Sequence, residues 1–540
     1  MGAIHYYEKE RVFKLDTPHT SYLIGIVDEE GFLGHMYYGA KITDYDVRAL
    51  MRTGEAPFVP SQNNRDRSSF LDAFPMEYPG HGVGDYRESV ISVSDKSGNT
   101  AVQPLYREHK IYAGKPGLPG LPATFGREEE CETLEIVLAD EVLDLTVTLY
   151  YTAFCDVDVI ARSVRVTNHA KEPVYLTKVF SAALDLDAED YRMLTLHGSW
   201  ARERQIEYRQ IGYGKQSVGS CRGESSHQEH PFVALVSANA GQEQGRVYGF
   251  HFVYSGNFLA QVEKNQFDSL RVVMGIHPQD FKWELKQDET FTAPEVVMTY
   301  SDAGLGRMTR TLHDLYRKHL IRSPYKDRER PVLINNWEAT YFEFDTEKLL
   351  AIAREAKKSG IEMLVMDDGW FGHRNDDNTS LGDWQVNEQK ITGGLKRLVD
   401  QVNEIGLEFG IWFEPEMISP DSDLYRTHPD WAIALPGRTP CRSRNQYVLD
   451  LSRKEVRDYA YECVASILRS ANIAYVKWDM NRQLTDLGSS ALPVENQGEL
   501  LHRYVLGVYE LQERLITEFP ELLLENCSGG GARFDPGMLY

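Results

Sequence analysis

The sequence predicts a multidomain protein of the α/β and β classes, in which an antiparallel β-sandwich precedes a domain of alternating strands and helices. The 540 residues exceed the size of one ordinary domain. Period-two alternation is frequent before residue 300, and apolar strands alternate with amphipathic helices after Pro331. We therefore place a β-sandwich domain over residues 1–302, a linker helix over 303–327 and an α/β domain over 328–540.

The sandwich is predicted from short strands that are separated by turn-forming residues. Several runs alternate apolar and polar residues, and Asn168, Gly198 and Gly214 lie near the gaps. The clearest strand-like runs cover 135–138, 145–152, 159–166 and 174–180. Many short strands with turns between them are typical of a large antiparallel sandwich.

A helix is predicted between the two domains. Between Leu305 and Leu320, apolar residues recur at close to helical spacing. Ser323-Pro324 then ends the helix, because the residue before a proline is disfavoured in helical conformation.

The α/β domain is predicted from five strand–helix units. Its strands cover 332–335, 363–366, 408–413, 473–478 and 521–525, with a further strand at 447–450. Its helices cover 347–358, 395–405, 499–519 and a segment ending near residue 470, with Ser452 and Glu455 as its capping box. Such alternation indicates a parallel sheet, which closes as an eight-stranded barrel or stays open and doubly wound. A barrel needs eight strands, so on that reading we expect the sequence to stop inside the domain.

Charge and cysteine content narrow the function classes. The balance of 58 basic against 81 acidic residues gives a net charge of −23, which argues against nucleic acid or an anionic membrane as partner. The six cysteines include no CxxC pair, and no apolar run is long enough for a signal peptide or a membrane span. His373, His428 and His502 lack the spacing of a metal-ligand pair. We expect a cytoplasmic protein without metal or cofactor.

The candidate chemistry lies at the C-terminal ends of the predicted parallel strands, where barrels carry their active sites. Every strand end carries an acid and four of the five carry a tryptophan: 335–338, 367–372, 411–416, 477–481 and 525–531. Sugar rings stack on aromatic faces and hydrogen-bond to charged groups, and two carboxyl groups cleave the glycosidic bond. The pattern therefore predicts a sugar-cleaving barrel.

Lys477 and Asp479 are the most informative pair. They lie two residues apart at the end of an apolar strand, so both side chains point the same way. An ammonium beside a carboxylate keeps the acid ionised, and an ionised Asp at such a position can act as a nucleophile.

Two further segments leave alternatives open. A regular strand would send Asp367 and Asp368 to opposite faces, so either Gly369 breaks the strand and both reach a ligand, or one binds while the other holds backbone amides. Arg444 could clamp a hydroxyl, pair with an acid or be a surface charge. The glycines at 529–531 allow close backbone approach but do not complete a dinucleotide motif, because residue 534 is Phe.

Taken together, the motifs resemble family 36 glycoside hydrolases, the bacterial α-galactosidases. The motifs that carry the resemblance are Asn335-Asn336-Trp337-Glu338, Asp367-Asp368-Gly369-Trp370, Trp412-Phe413-Glu414-Pro415-Glu416, Lys477-Trp478-Asp479-Met480-Asn481 and Glu525-Asn526-Cys527-Ser528-Gly529-Gly530, with Tyr37-Tyr38-Gly39 and Tyr78-Pro79-Gly80 in the first half. The resemblance implies a β-supersandwich followed by a (β/α)8 TIM-type barrel that is truncated in this chain. It also implies a retaining, exo-acting α-galactosidase acting on oligosaccharides such as melibiose and raffinose.

The resemblance also implies roles for individual residues. Asp479 matches the nucleophile that forms a covalent galactosyl-enzyme, and Asp367 and Asp368 match the groups that bind the 4- and 6-hydroxyls. The remaining substrate-binding set is Trp337, Trp412, Arg444, Lys477, Trp478, Met480, Asn481, Cys527 and Gly530. Family members are often tetramers, so we expect a homo-oligomer. The family's general acid would fall roughly ten residues past Tyr540, so we expect this chain to lack it and to be inactive by itself.

Four alternatives remain at this point. An α-N-acetylgalactosaminidase or a raffinose-family transglycosylase would share the frame. A fragment that binds sugar without turnover would have the same residues at its strand ends. A metal-dependent barrel hydrolase is disfavoured by the histidine spacing.

Overall fold

A computed structural model describes residues 3–27, 30–43, 47–50 and 71–540. The chain forms two compact units. The first comprises Met1–Cys221, Ser225–Ile321 and Asp535–Tyr540, and the second comprises Arg222–Glu224 and Arg322–Phe534. The boundaries predicted from the sequence, at residues 302 and 327, stay a prediction.

The first unit is built from antiparallel strands. In chain order, the strands are β1 Ile4–Tyr7, β2 Val12–Asp16, β3 Thr20–Val27, β4 Phe32–Ala40, β5 Ile91–Ser94, β6 Leu105–Ala113, β7 Cys131–Asp140, β8 Leu145–Phe154, β9 Val159–Asn168, β10 Val174–Asp187, β11 Tyr191–His197, β12 Gln205–Gln210, β13 Gly214–Ser220, β14 Glu229–Ser237, β15 Val247–Val253, β16 Phe258–Lys264, β17 Ser269–Ile276, β18 Trp283–Leu285, β19 Thr290–Thr292 and β20 Glu295–Ser301. A short 3₁₀ helix covers Val47–Leu50.

These strands form three sheets. β1 to β4 pair in sequence order. A second sheet has the order β13-β16-β17-β10-β18, with β5 also paired to β10. The largest has the order β12-β11-β14-β15-β20-β9-β8-β7-β6, with β19 also paired to β9. The four strand runs quoted from the sequence are present as β7 to β10, and all of them extend further than the apolar pattern indicated.

Alternation explains why β7 and β8 pair as they do. In β7, Leu134, Ile136 and Leu138 are buried while the residues between them are partly exposed. Leu134 lies opposite Tyr151 and Ile136 opposite Leu149, so buried side chains meet buried side chains across the ladder.

The helix predicted near residue 305 is confirmed as α1, Gly304–His319. Its apolar stripe is buried in one cluster with side chains of the largest sheet. The helical members of the cluster are Leu305, Met308, Leu312, Leu315 and Tyr316. The apolar face of α1 therefore packs against the largest sheet, which explains the helical spacing of its apolar residues.

The second unit contains a parallel sheet of five strands in sequence order: β21 Leu333–Asn335, β22 Met363–Met366, β23 Glu408–Phe413, β26 Tyr475–Trp478 and β27 Leu523–Asn526. An open doubly wound sheet reverses its strand order at a switch point, whereas a barrel keeps consecutive strands adjacent. The observed order is therefore that of a barrel.

Helices and short elements lie before, between and after these strands. They are α2 Trp337–Thr340, α3 Thr346–Lys358, α4 Leu395–Ile405, β24 Met417–Ile418, α5 Asp423–Thr427, β25 Tyr447–Val448, α6 Lys454–Ser470, α7 Leu500–Glu518 and α8 Pro536–Leu539, the last of which belongs to the first unit. Three 3₁₀ helices cover Pro324–Lys326, Pro429–Trp431 and Val494–Glu499. β24 and β25 pair with each other and lie outside the parallel sheet.

The capping box predicted for α6 is wrong. The helix begins after Arg453, and no side chain caps it. The Ser452 hydroxyl donates instead to Asp450 Oδ1, because the carboxylate two residues earlier is the stronger acceptor.

Within the described part of the chain, none of the helices has both the length and the apolar character that crossing a membrane requires.

Candidate active site

Buried acids collect at the C-terminal edge of the parallel sheet. Asp367 and Asp368 follow β22, and Asp479 follows β26; their exposed fractions are 3%, 4% and 5%. Burial of so many carboxyl groups costs free energy unless donors or cations compensate it. The partners of each acid therefore indicate its role.

Asp479 is held by neutral donors. The Trp412 indole N–H donates to Oδ2 at 3.0 Å, and the Asn481 side-chain amide donates to the same oxygen at 2.7 Å. The backbone N–H groups of Met480 and Gly529 donate to Oδ1 at 3.0 Å and 3.4 Å. These donors stabilise a negative charge on Asp479.

Lys477 pairs directly with Asp367, not with Asp479. Its Nζ lies 2.9 Å from Asp367 Oδ2. Burial lowers the pKa of Lys477, but the charges of Asp367 and then Asp479 outweigh burial and raise it. Strand alternation predicts that Lys477 and Asp479 point the same way, but Lys477 forms its ion pair with Asp367, which follows a different strand.

The two adjacent acids have different partners. Asp368 forms an ion pair with the buried Arg374, whose Nη2 lies 2.9 Å from Oδ2 and whose Nε lies 3.0 Å from Oδ1. Asp367 accepts from the Asp368 backbone N–H, the Asn335 amide and Lys477. β22 ends at Met366, before both acids, and Gly369 has a φ of 109°, which glycine adopts without strain. Burial raises the pKa of Asp368, and Arg374 opposes that shift.

The tryptophans occupy distinct positions. Trp412 is buried and contacts Asp479, as above. Trp337 is half-buried and meets Tyr341 and Phe342 edge-on, with ring centroids 5.3 Å and 5.0 Å away. The Trp478 indole points away from Lys477 and donates to Glu416 Oε1 at 2.7 Å.

The segment after β27 contributes backbone and a thiol. Cys527 is half-buried, and burial, followed by the charge of Asp479, raises the pKa of its thiol to about 12. Gly530 is exposed, and its carbonyl accepts from the Ser528 N–H at 3.0 Å. The Gly529 backbone N–H donates to Asp479 Oδ1, and the close approach of this run to a ligand stays a prediction.

Arg444 is not brought into contact with these acids. It is exposed in the 441–446 loop, with a φ of 53°, and forms no hydrogen bond or ion pair with any residue of the described ranges. Its neighbour Asn445 donates to Asp377 Oδ1 at 3.1 Å.

Known protein families and relatives match this chain over most of its length. The family model described as Melibiase matches residues 290–540, and the model of the glycosyl hydrolase family 36 N-terminal domain matches residues 31–286. Alpha-galactosidase AgaA of Geobacillus stearothermophilus is 51% identical over 540 residues, which is 100% of this chain and 74% of that protein. The chain belongs to glycoside hydrolase family 36.

Solved structures of family 36 share the fold. The crystal structure of α-galactosidase AgaB from Geobacillus stearothermophilus has a TM-score of 0.97 at 50% identity, covering 100% of this chain and 74% of that one. A variant of AgaA from the same organism, in complex with raffinose, has a TM-score of 0.96 at 50% identity, covering 98% and 74%. The predicted fold class, a β-sandwich followed by a barrel-type α/β domain, is confirmed.

Two further buried residues beside these acids were not selected from the sequence. Arg374 neutralises Asp368, and an arginine six residues after an acid pair was a readable signal. Glu414 is 1% exposed and accepts from the Gln446 side chain and the Asn481 backbone N–H, both at 2.6 Å. Burial and then the charge of Asp479 raise the pKa of Glu414 to about 8. The sequence marks Glu414 only through the Glu414-Pro415-Glu416 motif, and that motif does not show which of its two acids lies near Asp479.

Proposed function

We propose that this protein is a retaining, exo-acting α-galactosidase that hydrolyses terminal non-reducing α-galactosyl residues of oligosaccharides such as melibiose and raffinose. The observation that carries the proposal is the Asp479 carboxylate, buried at the strand ends and held by neutral donors, in a chain 51% identical along its length to an α-galactosidase. The raffinose complex of a related enzyme supports the substrate class.

Asp479 is the nucleophile in this proposal. One carboxylate oxygen bonds to the anomeric carbon while the bond from that carbon to the leaving oxygen breaks, and a general acid protonates the leaving oxygen. Water then attacks the galactosyl-enzyme, so the configuration is retained. Trp412 and Asn481 fix the oxygen Oδ2, which orients the carboxylate for attack.

The neighbouring residues bind the sugar. Asp367 and Asp368 accept from the 4- and 6-hydroxyls, and their pairing with Lys477 and Arg374 holds both carboxylates in place. Trp337 offers a partly exposed ring for the sugar face. Arg444, Asn481, Cys527 and Gly530 complete the proposed subsite, with Trp478 and Met480 beneath it.

The oligomer and the compartment are also proposals. We expect a homo-tetramer, on the family resemblance, and a cytoplasmic location. All six cysteines are free, which suits a reducing compartment. Analytical ultracentrifugation and cell fractionation test these two points.

The stereochemistry of an aryl α-galactoside reaction tests the function. Measured on the full-length protein, NMR should show α-galactose as the first product, whereas an inverting enzyme would release β-galactose. Faster hydrolysis of the aryl α-N-acetylgalactosaminide would instead favour that alternative. Galactosyl transfer in preference to hydrolysis, at high sugar concentration, would favour the transglycosylase.

Chemical rescue tests the nucleophile. With Asp479→Ala, azide should attack the anomeric carbon of an activated aryl α-galactoside from the side opposite the leaving group and yield β-galactosyl azide. The exposed Asp400 on α4 supplies a control, because Asp400→Ala should hydrolyse the substrate normally and form no azide product. Wild-type-like turnover in Asp479→Ala would refute the assignment.

A further inference from the structure

Glu414 joins two segments that line the proposed site. Its Oε1 accepts from the Asn481 backbone N–H and from the Gln446 side chain, each at 2.6 Å. Asn481 follows β26 and also donates its side-chain amide to Asp479 at 2.7 Å. Gln446 ends the 441–446 loop, which carries Arg444. One buried carboxyl oxygen therefore connects that loop to Asp479.

The Gln446 end of this connection is also fixed. Arg482 Nη1 donates to the backbone carbonyls of Gln446 and Cys441 at 2.8 Å and 2.9 Å, so one guanidinium holds both ends of the 441–446 loop. Arg444 and Asn445 have φ angles of 53° and 61°, a region that non-glycine residues enter at a cost. The loop keeps this conformation because its ends are held.

We propose that Glu414 is a positioning residue that holds Asn481, and through it Asp479, in a fixed relation to the 441–446 loop. The inference rests on the proposed function, because it deepens the account of the same site. Glu414 does not touch the sugar in this proposal; it acts through Asn481 and Gln446.

The charges around Glu414 fit this role. The charged groups that act on it are Asp479, which follows β26, and Arg374, which follows β22. Asp479 disfavours a second negative charge, and Gln446 and Asn481 are neutral. Burial, and then the Asp479 charge, raise the pKa of Glu414, which favours the neutral form that adds no charge beside Asp479.

Hydrogen exchange tests the connection without any sugar. Glu414→Met keeps the approximate volume but removes the acceptor for both donors. We expect exchange to quicken about 10-fold in both peptides that cover residues 441–447 and 478–484. Glu414→Gln keeps an acceptor oxygen and should restore most of the protection. The exposed Glu404→Met on α4 is the matched control and should change neither peptide.

Kinetics supply the second readout. For an aryl α-galactoside, Glu414→Met should lower kcat by about 10²-fold with a smaller change in KM, because a misplaced nucleophile affects the transition state most. Glu414→Gln should recover most of kcat, which a general loss of stability would not explain.

The outcomes separate the two proposals. Unchanged exchange in either peptide of Glu414→Met overturns the role of Glu414, even if the wild-type protein is an active galactosidase. Coupled exchange in a protein without galactosidase activity overturns the function and leaves the role of Glu414 standing. Should Glu414→Met fail to fold, Gln446→Met removes one contact and should quicken exchange in 441–447 more than in 478–484; equal or absent effects overturn the proposal.

Discussion

Asp479 and Glu416 are both buried acids near β23 and β26, yet their surroundings differ. Glu416 accepts hydrogen bonds from both Nη atoms of Arg533, at 2.9 Å and 2.6 Å. It also accepts from the Tyr504 hydroxyl and the Trp478 indole N–H. Asp479 accepts hydrogen bonds from an indole N–H, a side-chain amide and two backbone N–H groups, and no cation in the described part of the chain pairs with it directly.

This difference is the one expected between a structural acid and a reactive one. A bidentate arginine neutralises a carboxylate and occupies both oxygens, which stabilises the fold but opposes nucleophilic attack. Neutral donors stabilise the charge and leave the oxygens available for reaction. Burial by itself therefore does not distinguish the two acids, whereas the kind of partner does, and it supports Asp479 as the proposed nucleophile.

The largest effect is expected at Asp479. Asp479→Asn keeps the shape but removes the proposed nucleophile, so turnover of an aryl α-galactoside by the full-length protein should fall on the order of 10⁴-fold or more. Calorimetry should still detect galactose binding, and the melting temperature should change little. A large loss of stability with only a modest loss of turnover would mean that Asp479, like Glu416, stabilises the fold and is not the nucleophile.

The reverse result is expected at Arg533. Arg533→Met leaves the buried Glu416 charge without its cation, which should lower the free energy of unfolding by about 3–5 kcal/mol. Urea titration measures the loss. The double variant Arg533→Met with Glu416→Leu should recover part of it, because the uncompensated charge is gone. If the single variant were as stable as wild type, the arginine pair would not be structural.

Lys477 should affect binding more than stability. Lys477→Met leaves Asp367 without its ionic partner, at a cost of about 2–3 kcal/mol in galactose binding, or roughly 30- to 150-fold in affinity. Calorimetry measures the affinity. Lys396→Met removes an exposed pair with Asp400 on α4 and should leave affinity unchanged. Equal effects of the two substitutions would argue against a special role for the Lys477–Asp367 pair.

The smallest effect, taken per pH unit, is the pH dependence of stability that Glu414 causes. Its folded pKa is raised to about 8 from an ordinary value near 4.5, so between those pH values the folded state holds a proton that the unfolded state has lost. The free energy of unfolding should therefore fall as pH rises through this window, by up to about 1.4 kcal/mol per pH unit. Urea midpoints from pH 5 to 8 measure it. Glu414→Gln should show a flatter dependence, and an identical slope in both proteins would contradict the raised pKa.

The local sequence pattern by itself determined many of the strands and helices of this protein. Period-two and period-3.6 repeats predicted β7 to β10, the helix α1 and the parallel strands, because side-chain burial follows backbone periodicity. The predicted strand at 521–525 is two residues early, since the apolar run begins before the chain enters the sheet. The motifs at the strand ends predicted family 36, which the comparisons confirm.

Only the tertiary structure decided which side chains meet. Lys477 was expected beside Asp479, yet it pairs with Asp367, 110 residues away in the chain. Glu414 and Glu416 look equivalent in sequence, but one contacts Asn481 and the other Arg533. Strand periodicity fixes the side of the sheet to which a residue points, whereas contacts between strands depend on register and loop conformation, which no single segment encodes.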